Sequence, residues 1–229
     1  MTTVLITGAN RGIGLELARA YAADGARVLA TARDVDAAGE LASLPGVRLF
    51  PLDVRERAAI RRLAETLRDE PLHVLIANAG IFGPPSSAPG QRLGSLDYDA
   101  WADVLEVNLL GAVATAEAFL PNVRAARGRI VAITSHLGSI ADTSGGLYAY
   151  RSSKAALNMA FQNLAHDLAR EGIAVAVLHP GWVSTRMGGD SAPVSPEDSA
   201  HGLKRVIAGL RATGGRAAFL DYEGRAQAW

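Results

Sequence analysis

No cysteine occurs among the 229 residues, so disulfides, thiolate nucleophiles and zinc sites built on cysteine are all excluded. Lysine is almost as scarce. Only Lys154 and Lys204 stand beside 21 arginines, which makes a lysine inside any motif worth weighing. The five histidines include no pair four residues apart, so no helical histidine metal site stands out and metal chemistry is not expected. Net charge is missing too: with 23 basic and 23 acidic side chains, the chain has no overall field to draw it onto nucleic acid. No apolar run reaches the roughly 18 to 20 residues of a membrane span. Val4-Leu5-Ile6 runs into glycines with no basic leader before it, so a cytoplasmic location is expected, with neither membrane nor nucleic acid as a partner. The G-x-S-x-G elbow of an α/β-hydrolase is also absent.

What is present is an ordinary globular composition, 49% hydrophobic and 20% charged, at a length that suits one α/β core. Val4-Leu5-Ile6-Thr7 is a short apolar run ending in Gly8, and Ile13, Leu15, Leu17, Ala18 and Tyr21 then trace a helix face closed by Gly25. That reads as strand, glycine turn, helix. Further strands are expected at 27–31, 47–52, 74–77, 129–134, 174–178 and 217–220, and helices at 55–68, from 98 to about 120, and from about 150 to 170. Strands spaced by helices predict one domain over 1–229, a Rossmann-type doubly wound parallel sheet flanked by helices. Two loops rich in Gly, Pro and Ser follow strands and are candidates for a substrate mouth. The first, 82–96, holds Pro84, Pro85 and Pro89. The second, 184–198, holds Gly188 and Gly189 and is expected to act as a mobile lid.

Thr7-Gly8-Ala9-Asn10-Arg11-Gly12-Ile13-Gly14 lies between the first strand and the first helix, the setting a phosphate-binding turn requires. Gly8 permits the tight turn, Gly12 lets the backbone approach a pyrophosphate, and Gly14 lets helix and strand pack closely. A glycine-rich turn without a ligand is the plainer alternative. Tyr150 and Lys154 stand four apart on an expected helix, so their side chains can reach one patch of space. Five tyrosines and two lysines give only about 0.04 such pairs by chance. An ammonium a few ångströms from a phenol stabilises the phenolate and lowers a pKa otherwise near ~10, which fits the tyrosine for proton transfer.

With Asn78-Ala79-Gly80 after one strand and Ser135 after another, these features make the chain resemble the short-chain dehydrogenase/reductase family over essentially its full length. Within it, the segment from Tyr150 through Asn158, His179-Pro180-Gly181-Trp182-Val183, Met187-Gly188-Gly189, Asp221-Tyr222-Glu223-Gly224 and Trp229 are similar to the C-factor-like and Sniffer-like carbonyl reductases. The resemblance implies an oxidoreductase that interconverts a carbonyl and an alcohol. Tyr150 would donate the proton, Lys154 would lower its pKa and hold the nicotinamide ribose, and Ser135 would bind the carbonyl oxygen. Asn108 matches the residue that holds a water in the proton relay. Ser135 lies fifteen residues before Tyr150 where thirteen is common, so Ser139 is a rival. Ser135 is preferred because it ends a strand.

An acidic residue at the end of the second strand would repel a 2′-phosphate; Ala32 stands there instead. Arg33 follows it and Arg11 lies in the glycine turn, so NADP(H) is the expected cofactor. Arg33 read as a solvated charge, or paired with Asp34, is the alternative. Asp53, with Val54, is expected at the adenine, although Asp53 could equally cap the helix starting near Arg55. Asn78, Ala79 and Gly80 would line the adenosine and ribose; Pro180, Gly181 and Val183 would face the nicotinamide; Thr185 would reach its carboxamide or the pyrophosphate. A small-molecule carbonyl or alcohol is the expected substrate, with Phe82, Leu137, Trp182 and Met187 as candidates for an apolar wall. A homodimer or tetramer is expected through the helices 98–120 and 150–170, with Ala112, Ala116, Phe119, Phe161 and Leu168 as interface candidates, some of which must instead face the sheet. The alternative from another class is an NADP(H)-binding signalling or regulatory protein without significant turnover.

Overall fold

Strand β1 (Thr3–Ile6) is four residues long and buried throughout, as a strand covered on both faces must be. The computed structural model describes residues 1–85 and 90–229, so Pro89 lies outside the described residues. From β1 the chain alternates through α1 (Gly12–Ala23), β2 (Arg27–Ala32), the short α2 (Gly39–Ser43), β3 (Val47–Pro51), α3 (Arg57–Thr66) and β4 (Val74–Ala77). There follow α4 (Tyr98–Leu105), α5 (Ala112–Ala118), α6 (Leu120–Ala126), β5 (Arg129–Ile133), α7 (Tyr148–Asp167), β6 (Ala174–His179), α8 (Pro196–Gly209) and β7 (Ala218–Asp221). The seven strands form one parallel sheet in the order β3-β2-β1-β4-β5-β6-β7. The strand order reverses between β1 and β4, which opens a crevice beyond their carboxyl ends.

Alternation along each strand divides the core between two layers. Leu5 and Leu75 pack with Phe119, Leu157 and Phe161 on one face, whereas Val4, Ile6, Val74 and Ile76 pack with Leu17, Leu203 and Ile207 on the other. Phe119 and Phe161 are fully buried, each contributing roughly 1.5 to 3 kcal/mol relative to an exposed ring.

Three departures from the sequence reading have physical causes. The expected helix from 98 to about 120 is a bent run: it widens to a π turn over Glu106–Gly111, and Pro121 breaks it where α6 begins. Helix α8 was not anticipated, although Ser195 caps it by accepting the Asp198 N–H at 3.0 Å and Pro196 opens its first turn. The proposed interface residues Ala112, Ala116, Phe119, Phe161 and Leu168 are all buried within the protein's own core, because both helices carry a stripe that faces the sheet. The exposed apolar side chains on this helical surface are instead Leu110, Val113 and Met159. Among the described residues, no single helix is long and apolar enough to cross a membrane.

Candidate active site

The carboxyl ends of β1, β2, β3, β4 and β6 open onto one cavity of about 760 Å³. The glycine turn forms its floor. Thr7 fixes that turn to the next strand, because its hydroxyl accepts from the Asn78 and Ala79 N–H groups, both at 3.1 Å. Asn78 returns the contact by donating to the carbonyls of Thr7 at 2.9 Å and Gly8 at 3.0 Å. A Cβ on Gly14 would stand 2.5 Å from both the Asn78 amide nitrogen and the Gly8 oxygen, so only glycine fits there. Asn78 borders the cavity as expected, yet its amide is engaged in holding the glycine turn.

The nine sequence-proposed cofactor positions from Gly8 to Val54 line this cavity, including Asn10, Ile13, Arg11 and Arg33. Asp34 does not pair with Arg33; its carboxylate accepts from the N–H groups of Asp36 and Ala37 instead. Asp53 accepts three contacts from the Arg55 guanidinium and one from the Arg55 N–H at 3.0 Å, which holds its carboxyl below the usual range. It does not cap α3, which begins at Arg57 after Glu56. Val54 is buried against Gly111.

Tyr150 and Lys154 fall in the first two turns of α7, which starts two residues before the expected position. Both side chains line the inner end of the cavity and both are buried. Burial pushes the Tyr150 phenol up to about 12, while the Ser135 hydroxyl beside it pulls the other way. Burial lowers the Lys154 ammonium to about 8. Its Nζ donates to the Ile133 carbonyl at 2.8 Å and stands 5.8 Å from the centre of the Tyr150 ring. The expected lowering of the tyrosine by the lysine is not seen in this state: desolvation dominates, and the opposing pull comes from Ser135. Phe82 packs against Tyr150 with ring centres 4.7 Å apart.

The structure separates the rival serines. Ser135 follows β5, lies against Tyr150, and accepts the Leu137 N–H at 3.1 Å. Ser139 turns away: it accepts the Asp142 N–H at 3.1 Å and donates to the Trp229 carbonyl. The Asn108 amide is clamped between Ile81, whose N–H it accepts and whose carbonyl it donates to at 2.8 Å each, and the Ser153 hydroxyl at 3.0 Å. It lies in the π turn, behind the cavity wall rather than on it. Pro180 and Thr185 line the cavity; Gly181 instead packs against Tyr222, and Val183 is buried and bridges to Val194.

A tyrosine one helical turn before a lysine, on the wall of a cleft floored by a glycine turn at the β1/β4 switch, is one arrangement drawn from distant parts of the chain. Residues 2–194 match the sequence pattern of the family described as short chain dehydrogenase. The chain belongs to the short-chain dehydrogenase family. Its relatives include the C-signal of Myxococcus xanthus, 43% identical over 173 residues that make up 74% of this chain and 100% of the relative. In three dimensions the chain is similar to the carbonyl reductase Sniffer of D. melanogaster, with a TM-score of 0.89 at 34% identity over 100% of both chains. The NADPH-bound carbonyl reductase from chicken fatty liver gives a TM-score of 0.88 at 33% identity, over 100% of this chain and 99% of that one.

Three residues around the cavity escaped the sequence reading. Gln91 is almost fully buried, donates to the carbonyls of Phe82 at 3.1 Å and Pro84 at 2.6 Å, and accepts the Tyr150 N–H at 3.3 Å. It therefore fastens the first loop to the start of α7. Asn158 accepts the Thr134 hydroxyl at 2.6 Å and so steadies the strand end that carries Ser135. Arg186 joins Arg11 and Arg33 on the cavity wall. The loop 184–198 is also less slack than its glycines suggest: the Trp182 indole donates to the Gly188 carbonyl at 2.8 Å, and Ser184 and Val194 are joined by a main-chain bond of 2.9 Å.

Proposed function

We propose that the protein is an NADPH-dependent oxidoreductase that reduces a ketone or aldehyde to an alcohol, or catalyses the reverse. The observation that carries this reading is the buried Tyr150, with Ser135 on one side, Lys154 a turn further along, and a cationic, glycine-floored cleft leading to it. The cleft suits a dinucleotide. Its glycine turn presents main-chain N–H groups at the start of α1, and its lining carries Arg11, Arg33, Arg186 and Lys154. The resemblance to an NADPH-bound carbonyl reductase supports the same choice. A reduced nicotinamide, when bound in this cleft, would supply the hydride for the carbonyl carbon.

The residues of the chain do the rest. With its pKa near 12, the Tyr150 phenol is fully protonated at neutral pH and is poised as a donor to the carbonyl oxygen. Ser135 is placed to hydrogen-bond that same oxygen as negative charge gathers on it, an interaction stronger in the transition state than in the ground state. Lys154, near 8, is mostly cationic at neutral pH and stabilises the phenolate left after proton transfer. Asn108 acts through Ile81 and Ser153, keeping the β4 loop and α7 in register; in this proposal a water near it would return the proton. Phe82 and Met187 give the cavity apolar walls, which favours a fairly apolar substrate.

The relative named C-signal supports a second reading, a signalling or regulatory protein that binds NADP(H) without turnover. One experiment separates the two. NADPH oxidation is followed across ketones, aldehydes and quinones, with Tyr150→Phe as the control. Turnover that vanishes in the variant supports the enzyme; tight NADPH binding with no turnover of any carbonyl supports the regulator.

A further inference from the structure

Most arginines near a carboxylate in this protein are paired with it: Arg27 with Glu70, Arg57 with Glu106, Arg124 with Glu171, Arg225 with Asp221. Three of the four on the cavity wall are different, Arg55 being paired with Asp53. Among the described residues, neither Arg11, Arg33 nor Arg186 forms an ion pair; of the acids lining the same cavity, Asp34 accepts main-chain N–H groups, Asp53 pairs with Arg55, and Glu16 stands 3.9 Å from Arg19. A chain of zero net charge thus gathers three guanidiniums without an ion-pair partner around one opening, where the basic side chains outnumber the carboxylates of Glu16, Asp34 and Asp53.

Their origins matter. Arg11 precedes Gly12 in the first turn and Arg33 follows β2, while Arg186 arrives from the opposite lip, on the segment after β6. The two lips meet closely: a Cβ on Gly12 would touch the Thr185 methyl at 3.3 Å, which puts the neighbours Arg11 and Arg186 across a narrow gap. Arg186 also sits on a fixed turn. Thr185 closes it by accepting the Gly188 N–H on its hydroxyl at 3.2 Å and the Gly189 N–H on its carbonyl at 2.8 Å.

We propose that Arg186 is the third arm of the site for the cofactor's 2′-phosphate, reaching it from the lip opposite Arg11 and Arg33. The proposal rests on the NADP(H) reading above and extends it to a residue on the substrate-side segment. Repulsion from Arg186 and Arg33, added to desolvation, holds the Arg11 guanidinium below its ordinary value, so these charges are close enough to oppose one another. A phosphate dianion placed between them converts that repulsion into three attractions. Selectivity for the phosphorylated cofactor then belongs to both lips of the cleft rather than to the β2 end alone.

The test compares NADP⁺ with NAD⁺, which differ only in that phosphate, by calorimetric titration of the parent, Arg186→Gln and Arg186→Lys. The expected result for Arg186→Gln is a loss of about fivefold to fiftyfold in NADP⁺ affinity, below the full range for a charged hydrogen bond because the side chain is exposed, and less than twofold for NAD⁺. Arg186→Lys should recover part of the loss, since it keeps the charge without the planar fork. In the parent, the NADP⁺ preference should decline with added salt more steeply than in Arg186→Gln. Equal losses for both dinucleotides, or no loss for either, overturn the assignment of Arg186. A parent that binds the two equally overturns the NADP(H) reading itself, and with it the proposal.

Discussion

Lys154 points its ammonium at the main-chain carbonyl of Ile133, 2.8 Å away at the end of β5, and so holds a cation in the protein interior behind Tyr150. That placement has a consequence for stability with a definite sign. The lysine titrates near 8 in the folded protein against 10.5 for the free side chain. Between those values the unfolded chain keeps a proton that the folded one has released, so this group makes stability rise with pH across that window. Below about 8 the full cost of burying the cation is present, on the order of 3 kcal/mol.

Lys154→Met is therefore expected to raise the thermal midpoint of the cofactor-free protein at pH 7, by about 5 °C, while abolishing most turnover. The gain should shrink as the pH approaches 10. Calorimetric scans at pH 7 and 9.5 check this, and a variant less stable than the parent at pH 7 contradicts it.

Tyr150→Phe is expected to lower turnover by ~10² or more and to leave NADPH affinity and the thermal midpoint nearly unchanged, since only a hydroxyl is lost. Steady-state rates and fluorescence titration of NADPH measure the two separately. Activity within a few-fold of the parent would remove Tyr150 from the mechanism.

Ser135→Ala should reduce turnover by about 10² with little effect on cofactor binding, because only this serine lies beside Tyr150. Ser139→Ala removes an acceptor from the Asp142 N–H and should act chiefly on stability. The comparison of kcat between the two variants decides, and a larger kcat loss in Ser139→Ala reverses the assignment.

Arg33→Ala should weaken NADPH by roughly tenfold and spare NADH, in keeping with a charged hydrogen bond at a partly solvated site. Adding Ala32→Asp should shift the preference further towards NADH, because a carboxylate there accepts ribose hydroxyls and repels phosphate. Affinities for both cofactors are the readout. Equal weakening of the two argues that Arg33 serves the fold.

The strands were legible in the sequence because each is a short apolar run bounded by polar or turn residues, and the glycine turn because its spacing is local. Tyr150 and Lys154 were legible for the same reason: four residues along a helix is a distance sequence can measure. Gln91 and Asn158 were not, since their roles consist of hydrogen bonds to Tyr150 and Thr134, 59 and 24 residues away along the chain. The misassigned interface side chains have another cause. Periodicity reveals that a helix has an apolar stripe, but Ala112, Ala116 and Phe161 show that it cannot say whether that stripe meets a sheet or a second subunit. Helix α8 escaped although its Ser195-Pro196 start was readable, because the glycines and prolines just before it read as one continuous loop.

The side chain of Asn108 offers Ile81 one acceptor and one donor, both at 2.8 Å, which is what a peptide unit of an adjacent strand would offer. A carboxamide on a helix thus impersonates backbone. The segment beyond β4 can peel out of the plane of the sheet to make room at the crevice without stranding a buried N–H or carbonyl. Aspartate would keep the acceptor and forfeit the donor, and leucine would forfeit both. The widened π turn that carries Asn108 is then a matter of reach, a local swelling of the helix that brings one amide to the main chain of Ile81.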